Sequence, residues 1–511
     1  MKALAALYGG SLSPEAFSPS FSGKTALAMA LERAACFPGV SALVLLGTEG
    51  EAYPDLPAGA TLVSRPAWTK KLHLQTLSEL SEGYDLTYFA WADCPLLDPV
   101  LAGRVAERHL RYVAEYSYAD GWPYGLAPEL LSPGTAGILA KILGDDDGPV
   151  ERDALFSAIQ KDINAFDIET EISPVDLRSH RLALAADSRR NLLLLSGLRE
   201  AGLSAADDAD RIIAGRPDLL RTLPAFYPIQ VAGPCPQACS FCPYPQFGTG
   251  AGGVTGRKDF LDPGLFAALL DRIVEFSGDG VIDLSLWGEL ALHPQKSELA
   301  AAILDRPELS ALVETSGLGW TTAEMEGLAE RACRSLPGKN HLPRLSWIVS
   351  LDAADSGRYR EIRGSGFTEA AECARTLTRL FPGNAYVQAL RVKGAEDDIE
   401  QFYRSWQEAE AKVIIQKYDD FCGALPKLQA ADLSPVRRHP CWHLMRDMPI
   451  LIDGRVPLCR ETLFDGEMLG NVFTEDLAII WARGAAFYRD HCGKLYQGLC
   501  AECDEYYTYN F

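Results

Sequence analysis

The chain has 511 residues, of which 48% are apolar and 23% are charged, and its formal net charge is -21. This composition is typical of an ordered globular protein, and the length predicts about three domains. The negative charge disfavours nucleic acid and anionic membrane surfaces as partners, because it repels phosphate groups. No apolar run approaches a membrane span, and the N-terminus lacks the cleavage signature of a signal peptide. We therefore expect a cytoplasmic protein that binds neither nucleic acid nor membrane.

Residues 1–205 alternate short apolar runs with helical stretches, as in SALVLLG, LTYFAWAD and TALAMALERAACF. This alternation predicts an α/β domain with a mostly parallel sheet. The polar segment 206–226 then breaks the rhythm. It predicts a linker that contains a short helix.

Residues 227–430 repeat a strand and then a helix about six times. The predicted strands are YPIQVAG, VIDLSLWG, ALVETSG, RLSWIVSLDA, YVQALRVK and KVIIQKYDDF. Six parallel strands joined by right-handed crossovers form either an open sheet or an incomplete barrel. Residues 431–511 are rich in Cys, Gly, Pro and aromatic residues, which predicts a small domain organised around a bound metal cluster.

Thirteen cysteines in a chain without a secretion signal favour metal ligation over a disulfide framework. Cys333, Cys373 and Cys422 stand singly among apolar or helical residues, so we expect them to be buried as small hydrophobic side chains. Eight further cysteines form two groups. The central group is Cys235, Cys239 and Cys242, and the group near the end of the sequence is Cys441, Cys459, Cys492, Cys500 and Cys503.

The central cysteines Cys235, Cys239 and Cys242 are spaced C-x3-C-x2-C directly after a predicted strand. Three such thiolates could ligate three irons of a cubane cluster and leave the fourth iron open. A zinc site is the alternative, but structural zinc needs a fourth ligand, and no nearby Cys or His completes one. The segment CPQACSFC, with Phe241 before the last cysteine, resembles the defining motif of the radical S-adenosylmethionine (SAM) superfamily. The resemblance implies a partial (β/α)6 barrel and a 4Fe-4S cluster whose open iron binds SAM. It also implies reductive cleavage of SAM to a 5′-deoxyadenosyl radical that abstracts hydrogen from a substrate.

Later segments resemble further elements of this superfamily in the expected order. LSLWGELALHP resembles the GGEP element, in which backbone and an acidic residue receive the SAM amino group, although Trp287 and Leu290 replace its first Gly and its Pro. LVETSG resembles a T-N-G strand end, and WIVSLDA followed by YREIRGSGF resembles an S-x-D and R-G pair that contacts ribose and carboxylate. The resemblance assigns cofactor binding to Phe241, Gly288, Glu289, Thr315, Ser316, Ser350, Asp352 and Arg363.

Four thiolates suffice for one fully ligated 4Fe-4S cluster, and the last part of the chain offers them as C-x12-G-x4-C followed by CAEC. This arrangement resembles the twitch domain, the shortened form of the SPASM domain that follows many radical SAM barrels. Cys492 is either a substitute ligand or, as we favour, a buried side chain. A structural zinc ion on the same four cysteines is the alternative. The resemblance implies one auxiliary cluster held by Cys441, Cys459, Cys500 and Cys503.

WADCPLLDP, near the middle of the first domain, resembles the aspartate-centred motif of the cytidylyltransferase-like nucleotidyltransferases, which have a Rossmann-like fold. This resemblance assigns a divalent-metal ligand to Asp93, and HRLALAADSRRNLLLL supplies a second one, Asp187. The two carboxylates would hold Mg²⁺ and a nucleotide, although Asp93 could instead be a turn residue before Pro95. The phosphate-binding loop of that family lacks its early basic residues here, so the domain either binds a nucleotide without catalysis or only carries the barrel. The residues of that loop that remain are Gly9, Gly10, Gly23 and Lys24.

Together the three parts resemble the spiro-SPASM family over nearly the whole chain. The implied function is that of a radical SAM oxidoreductase or maturase acting on a peptide or sugar-type substrate, with a reductant such as flavodoxin or ferredoxin. Glu461 and Asp453 are candidate bases for the substrate proton, or else ordinary hairpin charges. Two other functions stay open: a nucleotidyltransferase acting on a sugar with a structural Cys-rich half, and a non-catalytic iron–sulfur electron-transfer or scaffold protein.

Overall fold

The computed structural model describes residues 1–53, 56–244, 259–336, 338, 342–431, 434–462 and 467–507. The chain divides into two compact units, Met1–Thr222 and Leu223–Phe511. Within the described ranges, none of the helices has the length and apolar character needed to span a membrane.

The first unit is built on one sheet of seven strands. These are β1 Ala3–Tyr8, β2 Val40–Thr48, β3 Ala60–Arg65, β4 Leu86–Trp91, β5 Tyr116–Asp120, β6 Glu129–Leu131 and β7 Ile168–Ile172. Their order is β3-β2-β1-β4-β6-β5-β7; the first four run parallel, whereas β6 is antiparallel to both of its neighbours. Every residue of β1 and β4 is buried, as expected of central strands in a parallel sheet. The predicted α/β class with a mostly parallel sheet is confirmed.

Helices connect these strands and also follow the last of them. They are α1 Ala26–Ala34, α2 Lys70–Leu80, α3 Pro99–Arg111, α4 Thr135–Ile142, α5 Ala154–Ile159, α6 Arg189–Glu200 and α7 Ala209–Gly215. Helix α3 begins where Pro99 supplies a preset backbone angle and the Asp98 carboxylate accepts the Val100 N–H at 2.7 Å. Helix α7 is the short helix predicted within segment 206–226.

The second unit contains a sheet of six parallel strands in sequential order. These strands are β8 Phe226–Pro228, β9 Gly280–Asp283, β10 Leu309–Thr315, β11 Leu345–Ser350, β12 Ala385–Arg391 and β13 Lys412–Lys417. Each overlaps one of the six predicted strands, because all six segments carry the apolar runs that a buried parallel strand needs. Closure of this sheet into a barrel stays a prediction.

The helices of the second unit include those that follow each strand and those of the C-terminal part. They are α8 Pro263–Ser277, α9 Lys296–Leu304, α10 Thr322–Arg334, α11 Ser356–Ile362, α12 Phe367–Leu380, α13 Glu396–Glu408, α14 Trp442–Arg446, α15 Leu477–Cys492 and α16 Leu499–Glu502. A capping box starts α10, since the Thr321 side chain and Glu324 each bond the other's backbone N–H.

The C-terminal residues continue the sheet of the second unit at its β8 edge. Ile450 N–H donates to the Pro228 carbonyl at 2.8 Å, and Ala225 N–H donates to the Arg446 carbonyl at 2.9 Å. An antiparallel hairpin of β14 Arg455–Pro457 and β15 Met468–Asn471 follows. Ile450 also belongs to the same buried cluster as the β8 residue Tyr227. The cysteine-rich C-terminal residues are therefore built onto the parallel sheet.

Candidate functional site

A cavity of about 230 Å³ lies at the carboxyl ends of the parallel strands β9–β13. Since these strands run parallel, their ends meet at one edge of the sheet. The three central cysteines and all eight residues predicted to bind the cofactor line this cavity, namely Cys235, Cys239, Cys242, Phe241, Gly288, Glu289, Thr315, Ser316, Ser350, Asp352 and Arg363. The structure thus brings together residues separated by more than a hundred positions in the chain.

The cysteine loop that follows β8 is anchored from two sides. Glu289 N–H donates to the Pro234 carbonyl at 2.9 Å, and Ser240 N–H donates to the Ile362 carbonyl at 2.9 Å. Burial raises the pKa of Cys235 to about 11 and that of Cys242 to about 12. Burial thus disfavours the thiolate form of both residues, and a positive partner such as a metal ion favours it.

Glu289 is held by the end of the neighbouring strand β10. Its Oε1 accepts the Thr315 hydroxyl at 2.7 Å, and its Oε2 accepts the Ser316 N–H at 2.8 Å. The side chain is buried, and both oxygens are fixed in position before any ligand arrives. The carboxylate therefore offers the cavity an oriented negative charge.

Arg363 provides the opposite charge in the same cavity. Its guanidinium donates to the Asp352 carboxylate and, through Nε, to Gln237 Oε1 at 2.9 Å, while it lies 5.6 Å from the ring centre of Phe241. Burial lowers the pKa of Arg363, but Asp352 and Cys239 raise it by more, so the group keeps its charge. Nη1 and Nε of Arg363 donate in these contacts. The planar guanidinium has further N–H donors that can bind a ligand carboxylate.

Three polar residues that the sequence did not single out also line the cavity, namely Gln237, Glu314 and Gln388. Glu314 accepts the Ser350 hydroxyl at 2.9 Å and the Gln388 amide at 2.8 Å. Gln237, between two of the cysteines, donates to the Tyr359 hydroxyl at 2.7 Å. Their position at strand ends, and inside the cysteine motif, is the signal that could have identified them.

The four cysteines predicted to hold an auxiliary cluster lie close together. The Trp442 N–H, next to Cys441, donates to the Tyr506 carbonyl at 3.0 Å and so ties the chain end to the start of α14. Burial raises the pKa of Cys459 well above its usual range, and Glu461 and the three other thiols raise it further. The pKa of Cys441 is likewise raised by burial and by Cys503 and Cys500.

The expectation that Cys422 is an isolated buried thiol is wrong, because its side chain hydrogen-bonds that of Cys503. It is half-buried and follows β13 in a turn where Phe421 and Cys422 have φ of 51° and 54°. A turn of two successive left-handed residues cannot be foreseen from this sequence, and it directs the thiol toward the C-terminal cysteines.

The other single cysteines differ from one another. Cys373 is buried as predicted. The same expectation is wrong for Cys333, which is exposed on α10. Cys492 is half-buried and packs against a cluster that contains Cys441 and Tyr488.

A buried group of charges lies beside the C-terminal cysteines. Arg460 contacts Glu461 at 2.9 Å, Asp419 at 3.2 Å and Glu505 at 3.5 Å. Burial, and then Asp419, raises the pKa of Glu461 well above its usual range, and among the described residues its Oε2 has no hydrogen-bond partner. Arg460 and Asp419 line the cavity.

The second candidate base, Asp453, is placed differently. Its carboxylate pairs with Arg455 at 2.9 Å in the turn that begins the hairpin. That pairing is what an ordinary hairpin charge would show.

In the first unit, Asp93 and Asp187 are brought together. Asp93 follows β4 and Asp187 precedes α6, and the Ala186 N–H donates to the Asp93 carbonyl at 2.8 Å. Both carboxylates contact Arg152, a residue the sequence did not single out. Lys24 of the predicted phosphate-binding loop instead contacts Glu32 at 2.7 Å.

The protein is thus a two-unit α/β protein whose second unit carries a cysteine-lined cavity at the carboxyl ends of a parallel sheet. No family model matches the sequence. An uncharacterized protein of Treponema pallidum (strain Nichols) is 39% identical over 367 residues, which make up 70% of this chain and 98% of that protein. The chain therefore belongs to the same family as this Treponema pallidum protein.

Several solved structures are similar to parts of the chain. Streptococcus suis SuiB bound to precursor peptide SuiA is 14% identical over 54% of this chain and 68% of that chain, with a TM-score of 0.40. BtrN in complex with AdoMet and 2-DOIA is 16% identical over 55% and 94%, with a TM-score of 0.36. A cytidylyltransferase from Leptospira borgpetersenii serovar Hardjo-bovis is 19% identical over 43% and 95%, with a TM-score of 0.36.

Proposed function

We propose that the protein is a radical SAM enzyme in which Cys235, Cys239 and Cys242 hold a 4Fe-4S cluster. The observation that carries this proposal is the convergence of the three thiols, the Glu289 carboxylate and the Arg363 guanidinium on one cavity. An amino acid group carries an ammonium and a carboxylate, so a cavity with one oriented charge of each sign suits the methionyl end of SAM. A cluster held by these three cysteines would supply the electron for reductive cleavage of SAM to a 5′-deoxyadenosyl radical.

The ligand set favours a multi-iron cluster over a single zinc ion. Structural zinc takes four protein ligands, and among the described residues that line the cavity neither a fourth cysteine nor a histidine accompanies the three thiols. A cubane cluster would need only three protein thiolates and would leave one iron open for SAM.

The residues around the cavity have distinct roles in this proposal. Glu289, aligned by Thr315 and Ser316, accepts the ammonium of SAM, and Arg363 binds its carboxylate with the donors that Asp352 and Gln237 leave unused. The Phe241 ring lies within cation–π distance of this guanidinium, 5.6 Å from its central carbon.

Cys441, Cys459, Cys500 and Cys503 hold an auxiliary 4Fe-4S cluster, as the SPASM and twitch resemblance implies. With four protein thiolates the cluster has no open position, so it relays electrons or orders the substrate pocket. The charged group around Arg460 reaches the cavity, because both Arg460 and its partner Asp419 line it. Glu461 in that group is the favoured base for the substrate proton, because its partner Arg460 lines the cavity and, among the described residues, its Oε2 has no hydrogen-bond partner.

The substrate in this proposal is a peptide or a sugar-type molecule, and the enzyme is an oxidoreductase or maturase of the cytoplasm. A small electron carrier such as flavodoxin or ferredoxin supplies the reducing equivalents. Lys417, Asp419 and Arg460 line the cavity and offer charges of both signs to a polar substrate.

The experiment is anaerobic reconstitution with iron and sulfide, followed by dithionite and SAM, with measurement of 5′-deoxyadenosine. We expect the product from the native chain and none from Cys239→Ala. Cys333→Ala is the matched control, because this cysteine is exposed on α10 and lies outside the cavity. A native chain that holds a full complement of iron and leaves SAM intact would sink the proposal.

A further inference from the structure

The position between the Asp93 and Asp187 carboxylates of the first unit is occupied by the guanidinium of Arg152. Arg152 binds Asp93 through two nitrogens, with Nη1 at 3.1 Å from Oδ1 and Nη2 at 2.5 Å from Oδ2. The same Nη2 lies 3.1 Å from Asp187 Oδ2. One guanidinium nitrogen therefore bridges the two carboxylates, as a shared metal ion would.

The guanidinium is fixed by its surroundings as well as by the two acids. It lies 4.5 Å from the ring centre of Trp91 and 5.3 Å from that of Tyr124, whose hydroxyl accepts Nη1 at 3.2 Å. Burial lowers the pKa of Arg152, but Asp93 and then Tyr124 raise it by more, so the group stays charged. A planar cation between carboxylates and aromatic rings is a favourable arrangement for arginine.

The segment that carries Arg152 is anchored rather than loose. Lys70 N–H donates to the Gly148 carbonyl at 2.9 Å, and Lys70 Nζ contacts Glu151 at 2.9 Å. Helix α5 begins directly after, at Ala154. The arginine is thus delivered to the two acids by a backbone tied to the start of α2.

The remaining oxygens of the site are also in use. Asp187 Oδ1 accepts the Asn191 amide at 2.8 Å and the Ser188 hydroxyl at 3.3 Å. Magnesium requires near-octahedral oxygen coordination at about 2.0–2.1 Å. A guanidinium nitrogen 2.5 Å from Asp93 Oδ2 occupies the space in which such an ion would have to sit.

Lys24, from the predicted phosphate-binding loop, already has a carboxylate partner. Both Nζ hydrogen bonds of Lys24 go to the Glu32 carboxylate, at 2.8 and 2.7 Å. A triphosphate would have to displace Glu32 at Lys24 and also Arg152 at the aspartates. The arrangement thus opposes both components of a metal–nucleotide complex.

We propose that Arg152 takes the place of the divalent metal between Asp93 and Asp187, so that the first unit binds no divalent cation there. It therefore performs no metal-dependent nucleotidyl transfer. The inference concerns the first unit alone, and it is independent of the radical chemistry proposed for the second.

The test counts bound Mn²⁺ on the full-length holoenzyme by the loss of the free-ion signal in room-temperature electron paramagnetic resonance. Four proteins are compared: the native chain, Asp93→Asn, Arg152→Met and the double variant Arg152→Met/Asp93→Asn. Each titration is run with and without CTP. Adventitious binding elsewhere, for example at Asp419 and its acidic neighbours, is common to all four and cancels.

We expect the native chain and Asp93→Asn to bind the same number of ions. Arg152→Met should bind one additional equivalent, because removal of the guanidinium frees both carboxylates, and the double variant should lose it. The proposal is overturned if the native chain binds one more ion than Asp93→Asn, with or without CTP. It is equally overturned if folded Arg152→Met gains none. Should Arg152→Met fail to fold by circular dichroism, the comparison of the native chain with Asp93→Asn decides alone.

Discussion

Gly288 is packed against the carbonyl oxygen of Ala232, so closely that a Cβ at this position would lie 1.9 Å from that oxygen. Its φ of 75° is also one that residues with a Cβ rarely adopt. The contact joins the end of β9 to the cysteine loop just before Cys235. Glycine at this point is therefore a requirement of the site.

Replacing Gly288 with Ala should displace the cysteine loop. Backbone atoms cannot yield as a flexible side chain would, so the loop or the Glu289 peptide has to move. We expect the iron bound at the central cysteines and the rate of 5′-deoxyadenosine formation to fall more than about tenfold, since small displacements of reacting groups are that costly. Iron analysis and product assays on the reconstituted protein measure this.

Gly394→Ala is the control for the effect of backbone conformation alone. Gly394 has a φ of 81°, but among the described residues no atom lies within 4 Å of the position that a Cβ would take. The control should lose about 1–2 kcal/mol of stability at most and keep its activity. Equal losses in the two variants would mean that strain, and not the contact with Ala232, explains the result.

Glu289→Gln should weaken SAM binding and leave the cluster in place. The amide keeps the size of the side chain but loses its negative charge, and it cannot accept from both Thr315 and Ser316 as the carboxylate does. A charged hydrogen bond exceeds a neutral one by about 1–2 kcal/mol, so we expect about tenfold weaker affinity in equilibrium dialysis. Exposed Glu298 on α9 supplies the control, Glu298→Gln. Unchanged affinity in folded Glu289→Gln would remove Glu289 from the SAM site.

Patterns along the chain predict the α/β class and all six strands of the second sheet, because buried parallel strands carry long apolar runs such as LSWIVS in β11. They also predict which residues meet in the cavity, since the ends of successive parallel strands share one edge. The contacts of Arg152 and Cys422 were not predictable. The contacts of Arg152 depend on a loop anchored to a distant helix, and those of Cys422 depend on two residues with left-handed backbone angles. Neither feature produces a periodic pattern in the sequence.

Cys441→Ser and Cys503→Ser should differ in iron content, although both residues are proposed ligands. Loss of Cys441 should remove the auxiliary cluster and about half of the total iron. Loss of Cys503 should be milder, because the neighbouring Cys422 thiol, which hydrogen-bonds it, can take its place. Iron and sulfide analysis of the purified variants measures the difference.

Two further variants distinguish replacement of the Cys503 ligand by Cys422 from a cluster that simply tolerates the loss of Cys503. Cys422→Ser alone should keep all of its iron, because the four proposed ligands remain. Cys422→Ser/Cys503→Ser should match Cys441→Ser. Iron loss in Cys422→Ser as large as that in Cys441→Ser would instead make Cys422 a ligand of the native cluster.

The stability of the first unit should depend on pH through His73. This side chain is fully buried among aromatic rings, with the centroid of Tyr8 at 5.3 Å and that of Phe89 at 5.0 Å, and burial lowers its pKa to about 3. The unfolded chain takes up a proton at this residue near pH 6.5, whereas the folded chain does so only near pH 3. Between these values the unfolded state binds more protons, so acidification favours unfolding by about 1.4 kcal/mol per pH unit.

His73→Phe removes this titration and also the two ring nitrogens that lack partners within the described part of the chain. From pH 6.5 to 4.5 the variant should therefore lose about 2–3 kcal/mol less stability than the native chain. Hydrogen exchange at the amides of β1, measured as a function of urea concentration, reports on the unfolding of this unit alone. Thr76→Ser, a change at another buried position of α2 that adds or removes no titratable group, should follow the native pH dependence. Parallel curves for His73→Phe and the native chain would mean that the folded chain already accommodates a protonated ring at this position.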